Sequence, residues 1–197
     1  MNQSDLFSYL SAFVTIVLAV ALGDMIQSTH RLIRARRRVK WDMLPLIFAA
    51  MVAAGVVSEF FSLWDSFAVS KVTFPRLIWM LTVPTLFALL AYSALPDAIP
   101  DDGLDLTKFY ADERRSWVII FGLATVLDVV RSVDLIAHNR DWLVEYAGYV
   151  ARRLPFAIVA LSVMWVGRSR RWDVAGVLLL AGATIYGMSG WTITPRT

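Results

Sequence analysis

Asp128, Arg131 and Asp134 follow one another at intervals of three inside an apolar run, Trp117 to His138 (WVIIFGLATVLDVVRSVDLIAH). The run is long enough to cross a bilayer, which takes about 20 residues. A charge at that depth costs roughly 2.5–3.5 kcal/mol on insertion scales, so such residues face a protein interior and have partners. Intervals of three keep them on one side of a helix, drifting by about 60° per step. Glu59, in the apolar run 41–64, and Arg152 and Arg153, in the run 142–166, are candidate partners. Counted at ~1.5 Å per residue from Trp41, Trp117 and Trp165, these six residues fall at overlapping depths. Three acids against three bases make a layer that can be neutral. Its chemistry is either that of a polar cavity binding an ionic solute or passing protons, or that of a buried salt-bridge network orienting helices. Arginine side chains that snorkel out of the layer are a third use. Pro155 directly follows Arg152, Arg153 and Leu154 and deprives the Ala151 carbonyl of its helical donor, as Pro84 does to Met80. Two broken helices at membrane depth are a pointer to a binding site.

Other clusters carry less chemistry. Asp97, Asp101, Asp102 and Asp105 crowd one connection and could hold a hard cation. Starting a calcium loop at Asp102 puts Glu113 at its twelfth position, but Leu104 and Leu106 occupy positions that need oxygen ligands. The connection is therefore expected to be solvated and to end in a helix N-cap at Asp105. Asp24, Ser28 and His30 share one helical turn and cannot build an oxyanion hole, and His138 lies at the opposite end of its span from His30. No phosphate-cradling glycine loop or HExxH motif is present, and the absence of cysteine excludes thiolate catalysis and disulfides. The expectation is a chain with no catalytic residues, metal or cofactor.

The elements that must position the charged layer are membrane helices. Of the 197 residues 58% are hydrophobic and 18% charged, against about 45–50% and 25% in a soluble domain, and mean hydropathy is +0.60. The apolar surplus falls in six blocks, about 7–27, 41–64, 75–95, 117–138, 142–166 and 172–192. The fold expected is an all-α six-transmembrane bundle in one domain, 1–197. The first block has no basic residue before it and a basic run behind it, so it reads as a membrane helix rather than a cleaved signal. Residues 105–116 read as an interfacial helix, with Leu106, Phe109 and Tyr110 dipping into lipid.

Charge sets the orientation. Connections one, three and five hold most of the 19 Lys and Arg: Arg31, Arg34, Arg36, Arg37, Arg38, Lys40, Lys108, Arg114, Arg115, Arg168, Arg170 and Arg171. The opposite side has Lys71, Arg76, Arg140 and Arg196. By the positive-inside rule both termini face outward. Trp41, Trp64, Trp117, Trp142, Trp165, Trp172 and Trp191 stand at span ends, with Trp79 one turn inside, as an interfacial belt would place them. Small residues four apart (Ala19 and Gly23, Ala49 and Ala53, Ala50 and Ala54, Ala183 and Gly187) allow close helix contact within the chain or in an oligomer. A net charge of +3 does not imply nucleic acid, because the basic residues sit between apolar blocks. The partners expected are lipid, a small ionic solute or proton, and a membrane protein or a second copy. The basic run 31–40 can also touch anionic lipid.

The order of features is similar to that of a group of uncharacterised bacterial multi-span inner-membrane proteins of about this length. The likeness lies in Tyr9-Leu10-Ser11 before the first span, RLIRARRRV at 31–39, Leu95-Pro96-Asp97 after the third, and DLTKFYADERRSW before the fourth. The resemblance implies a bacterial inner-membrane location and carries no activity with it.

Overall fold

The computed structural model describes residues 3–66, 74–138, 143–167 and 169–188. Six helices follow in order: α1 (Gln3–Arg34), α2 (Met43–Ser66), α3 (Phe74–Ala94), α4 (Leu106–His138), α5 (Leu143–Val166) and α6 (Arg170–Met188). Among the described residues the six apolar blocks fall on these helices one to one, with α2 beginning two residues into its block. Among the described residues α1, α2 and α4 are long and apolar enough to cross a membrane, and α3 and α5 carry shorter apolar runs, Met80–Ala94 and Leu154–Val166.

Helix α1 shows how these sequences sort their faces. Val14, Leu18, Ala21, Met25, Ser28 and Leu32 are buried at alternating steps of four and three, which is one narrow seam. Its other faces are also apolar, and Phe13, Ile16, Val20, Ile26 and Ile33 are exposed. Ile119, Leu123, Val126 and Val133 do the same on α4. An apolar outer surface of this extent belongs in lipid or against a partner, which makes the bundle membrane-associated.

Helix α3 touches α1, α2 and α4, while α5 packs along α6 and also meets α4. Two glycines mark close approaches between helices. A Cβ on Gly55 would lie 2.8 Å from Phe87 Cε1, and one on Gly176 would lie 2.5 Å from Met164 Cγ. Ala49 joins the core, whereas Ala19 is exposed and Gly23 has open space beside it. Among the described residues Gly23 meets no neighbour on that face.

The first, third and fifth connections meet at one end of the bundle, here called the basic end. Val39–Lys40 (β1) and Leu104–Asp105 (β2) form a two-residue parallel pair, a small exception to an all-helical chain. Gly103 makes it possible: its φ is +103°, and a side chain there would collide with the Arg38 carbonyl 2.7 Å away. The acidic connection is therefore not simply solvated. Lys40 pairs with Asp105 at 2.9 Å and Arg38 with Asp101 at 3.5 Å, so the acidic third connection closes on the basic first one. Asp105 also caps α4 as expected, accepting from the amides of Thr107 (2.9 Å) and Lys108 (3.3 Å).

Three sequence expectations need correction. Residues 106–116 are not a separate interfacial helix but the first turns of α4; nothing between Asp105 and Gly122 interrupts the helix, and Leu106 and Tyr110 point into the core. Trp117 is not an interfacial anchor. It is fully buried, stacked on Phe48 at 4.2 Å between centroids, edge-on to Phe109 and Tyr110, and donates its indole N–H to the Ser93 carbonyl at 3.1 Å. Pro84 and Pro155 do not break their helices: α3 and α5 run through both. A proline removes one hydrogen bond, and unwinding further in an apolar setting would expose several more backbone groups. Pro84 is buried, while Pro155 faces outward. Trp41, Trp165 and Trp172 are exposed at helix ends. The side chains of Trp64, Trp79, Trp142 and Trp191 lie outside the described residues.

Candidate functional site

The buried stripe of α2 runs Phe48, Val52, Val56 and then Glu59; that of α4 runs Trp117, Phe121, Ala124 and then reaches Asp128 and Arg131. Both continue at helical steps of three and four, so the charged groups stand where the seam would otherwise hold aliphatic side chains. They answer one another. Arg131 Nη1 donates to Glu59 Oε1 at 2.8 Å, and Arg131 Nη2 donates to Asp128 Oδ1 at 2.6 Å. One guanidinium thus holds a carboxylate from each of two helices, in the fork geometry that arginine offers and lysine does not. Side-chain exposure is 13% for Arg131, 6% for Glu59 and 22% for Asp128, so the triad is closed on the α2 side and more open at Asp128. Ser132, also buried, donates its hydroxyl to the Asp128 carbonyl at 2.8 Å. Its hydroxyl bonds its own helix instead of facing an unpaired group.

Of the six residues of the expected layer, Glu59, Asp128 and Arg131 are therefore brought together. Asp134 lies half-buried one turn beyond Arg131 on α4. Arg152 and Arg153 are on α5, which packs against α4, but their side chains lie outside the described residues. Asp24 faces Arg31 at 3.8 Å rather than a histidine, and among the described residues no three His, Asp or Glu are grouped to hold a metal ion.

A second set of ion pairs, which the sequence reasoning missed, sits at the basic end. Arg170 donates from both Nη atoms to the two carboxylate oxygens of Asp42, each at 2.7 Å. Arg114 donates from Nη1 to Asp173 at 2.6 Å and to the Gly167 carbonyl at 3.0 Å. Asp42 also accepts the Leu44 amide at 3.0 Å and so caps α2. The two pairs tie the starts of α2 and α6, and α4, into one plate. Burial would raise the Asp42 carboxyl, but the Arg170 hydrogen bonds and the Leu44 amide outweigh it and hold the group below the ordinary carboxylate range. Lys40 beside Asp105 brings that carboxyl down to about 2, with the Thr107 and Lys108 amides adding to it. A signal for this plate was present in the chain. Lys40-Trp41-Asp42 and Arg171-Trp172-Asp173 place an acid right after an interfacial tryptophan, at the first turn of a helix, on a side of the protein otherwise rich in cations.

No family model matches the chain, and neither a curated protein nor a solved structure does.

Proposed function

We propose that the chain is a six-span protein of a bacterial-type inner membrane with both termini outside, and that it is a structural or interaction subunit rather than an enzyme. The orientation rests on the convergence of the three most basic connections at one end of the bundle. The role rests on one observation: Arg131 is engaged by carboxylates of two different helices at 2.6 and 2.8 Å. A guanidinium spent in this way fixes the register of α2 against α4. Buried ion networks add little net stability over an apolar seam, and specificity of packing is a known use of them. The lipid bilayer is the first partner, and the uncovered faces of α1 and α4 suit a membrane protein partner or a second copy.

A second reading is favoured by the greater exposure of Asp128. A carboxylate held by a buried arginine but open on one side can take up a proton or a small cation. The two readings separate in sealed vesicles containing the full chain. If the triad only sets packing, proton and solute flux equals that of empty vesicles, and Asp128→Asn changes stability alone. Flux above that background which Asp128→Asn abolishes, in protein that stays folded, would replace the packing role by transport.

A further inference from the structure

Beyond the triad, the basic end holds an open groove of about 410 Å³ lined by Arg31, Arg34, Ala35, Arg38 and Ile99. Past the end of α1 the backbone keeps turning tightly, with the amides of Ala35, Arg36 and Arg38 bonded to the carbonyls of Arg31, Ile33 and Ala35. Arg31, Arg34 and Arg38 therefore stay on one side. Two of them are set by the third connection: Arg31 donates to the Asp97 carbonyl, and Arg38 lies 3.5 Å from Asp101. Arg34 is exposed and makes no side-chain hydrogen bond or ion pair among the described residues. Three guanidinium groups around one hollow, one of them with its donors unspent, are a receptor for a phosphate group.

The surroundings select among phosphates. At 100° per residue, Val20, Ile16 and Phe13 fall within about 60° of Arg31 around α1, so they continue the arginine face toward the middle of the helix. All three are exposed; Gln27 and Asp24, the latter 3.8 Å from Arg31, stand between them and the groove on this face, with open space beside neighbouring Gly23. Ala35 and Ile99 supply apolar walls in the groove itself. Cationic at one end and apolar along a helix, this surface has the polarity of a phospholipid. We infer that the groove binds the phosphodiester of an anionic phospholipid, whose acyl chains lie along the exposed face of α1. Basic pockets between membrane helices are suited to such head groups. The site is separate from the Glu59–Arg131–Asp128 triad, so the two assignments stand or fall independently.

The test uses the full chain in neutral detergent, where no charged surface is present, with phosphatidylglycerol or phosphatidylcholine titrated in and bound lipid counted by native mass spectrometry. The wild type should retain phosphatidylglycerol in preference to phosphatidylcholine. Arg34→Gln, which disturbs no contact, should weaken that retention about fivefold, and Arg34→Gln with Arg38→Gln roughly 25-fold. The exposed pair outside the groove, Arg36→Gln with Arg37→Gln, removes the same charge and should stay within about twofold of wild type. Equal losses in the two double variants, or no preference between the lipids, would overturn the assignment. So would binding of glycerol 1-phosphate as tight as that of the lipid, which would make the groove a site for soluble phosphates.

Discussion

The triad of Glu59, Arg131 and Asp128 and the pairs at the basic end use the same two chemical groups in opposite settings. In the triad the cation is itself enclosed, 13% exposed, and it is shared by two acids, Glu59 at 6% and Asp128 at 22%. In the Asp42–Arg170 pair the acid is enclosed, at 1%, while the arginine is 56% exposed. A Glu59 carboxylate left behind in the first setting has little water to turn to; an arginine left behind in the second has. The triad also joins α2 and α4 about two turns inside their ends, at the opposite end of the seam from the Phe48–Trp117 stack, whereas the basic-end pairs act at caps that the local chain already constrains. The same kind of contact is thus a commitment of the whole seam in one place and a trim of helix ends in the other.

The sharpest way to break that comparison is Arg131→Met. It should cost about 3–5 kcal/mol, because it strands Glu59 on the closed side of the seam and leaves Asp128 beside it without its cation. Adding Glu59→Gln should recover most of the loss, and the coupling of Arg131 to Glu59 should exceed that to Asp128, the more exposed acid. Unfolding of the four variants of each cycle in detergent measures this. Equal couplings would mean that burial does not set the strength of the triad. Asp173→Asn, opposite the partly buried Arg114, should cost less, about 1–3 kcal/mol, and should depend more on added salt than the triad does.

The triad was legible because polar groups stand out in an apolar run, and the depth count brought residues from distant parts of the chain to one level. Arg131 pairs with Glu59 and Asp128, two of the three acids of the expected layer. The basic end was harder to read for a physical reason. An interfacial Trp and a buried Trp have the same neighbours in sequence, so Trp117 reads as an anchor until Phe48 and Ser93 are seen around it. Likewise, Leu106, Phe109 and Tyr110 make a stripe that suits lipid and core equally well. What chooses the core is the docking of the third connection onto the first, a contact between segments far apart in sequence that no local pattern encodes.

That docking hinges on one backbone position. Gly103→Ala places a Cβ against the Arg38 carbonyl in a left-handed conformation, and should cost about 1–2 kcal/mol. The expected loss is local. Amide exchange at Leu104, whose N–H bonds the Arg38 carbonyl at 2.9 Å, should rise while that at Val52 and Val56 in the core stays slow. Exchange rising equally at all three sites would show the parallel pair to be integral to the bundle rather than a trim of its end.

The smallest effect is the dependence of this end on acid. Asp105 and Asp42 both have folded-state values below their ordinary ones, so each stabilises the folded chain above the unfolded carboxylate range, near 3.9. That contribution is complete at neutral pH and is lost as pH falls through the folded value, about 2 for Asp105. The thermal midpoint in detergent should hence drop between about pH 4 and 2, and Asp105→Asn should flatten the drop while lowering the midpoint at pH 6. Lys40→Gln should flatten it less than Asp105→Asn does, because the Thr107 and Lys108 amides still favour the charged carboxylate. If Lys40→Gln instead removed as much of the slope as Asp105→Asn, the cap would be electrostatically idle. The acidic connection would then be held to the basic one by its lysine alone.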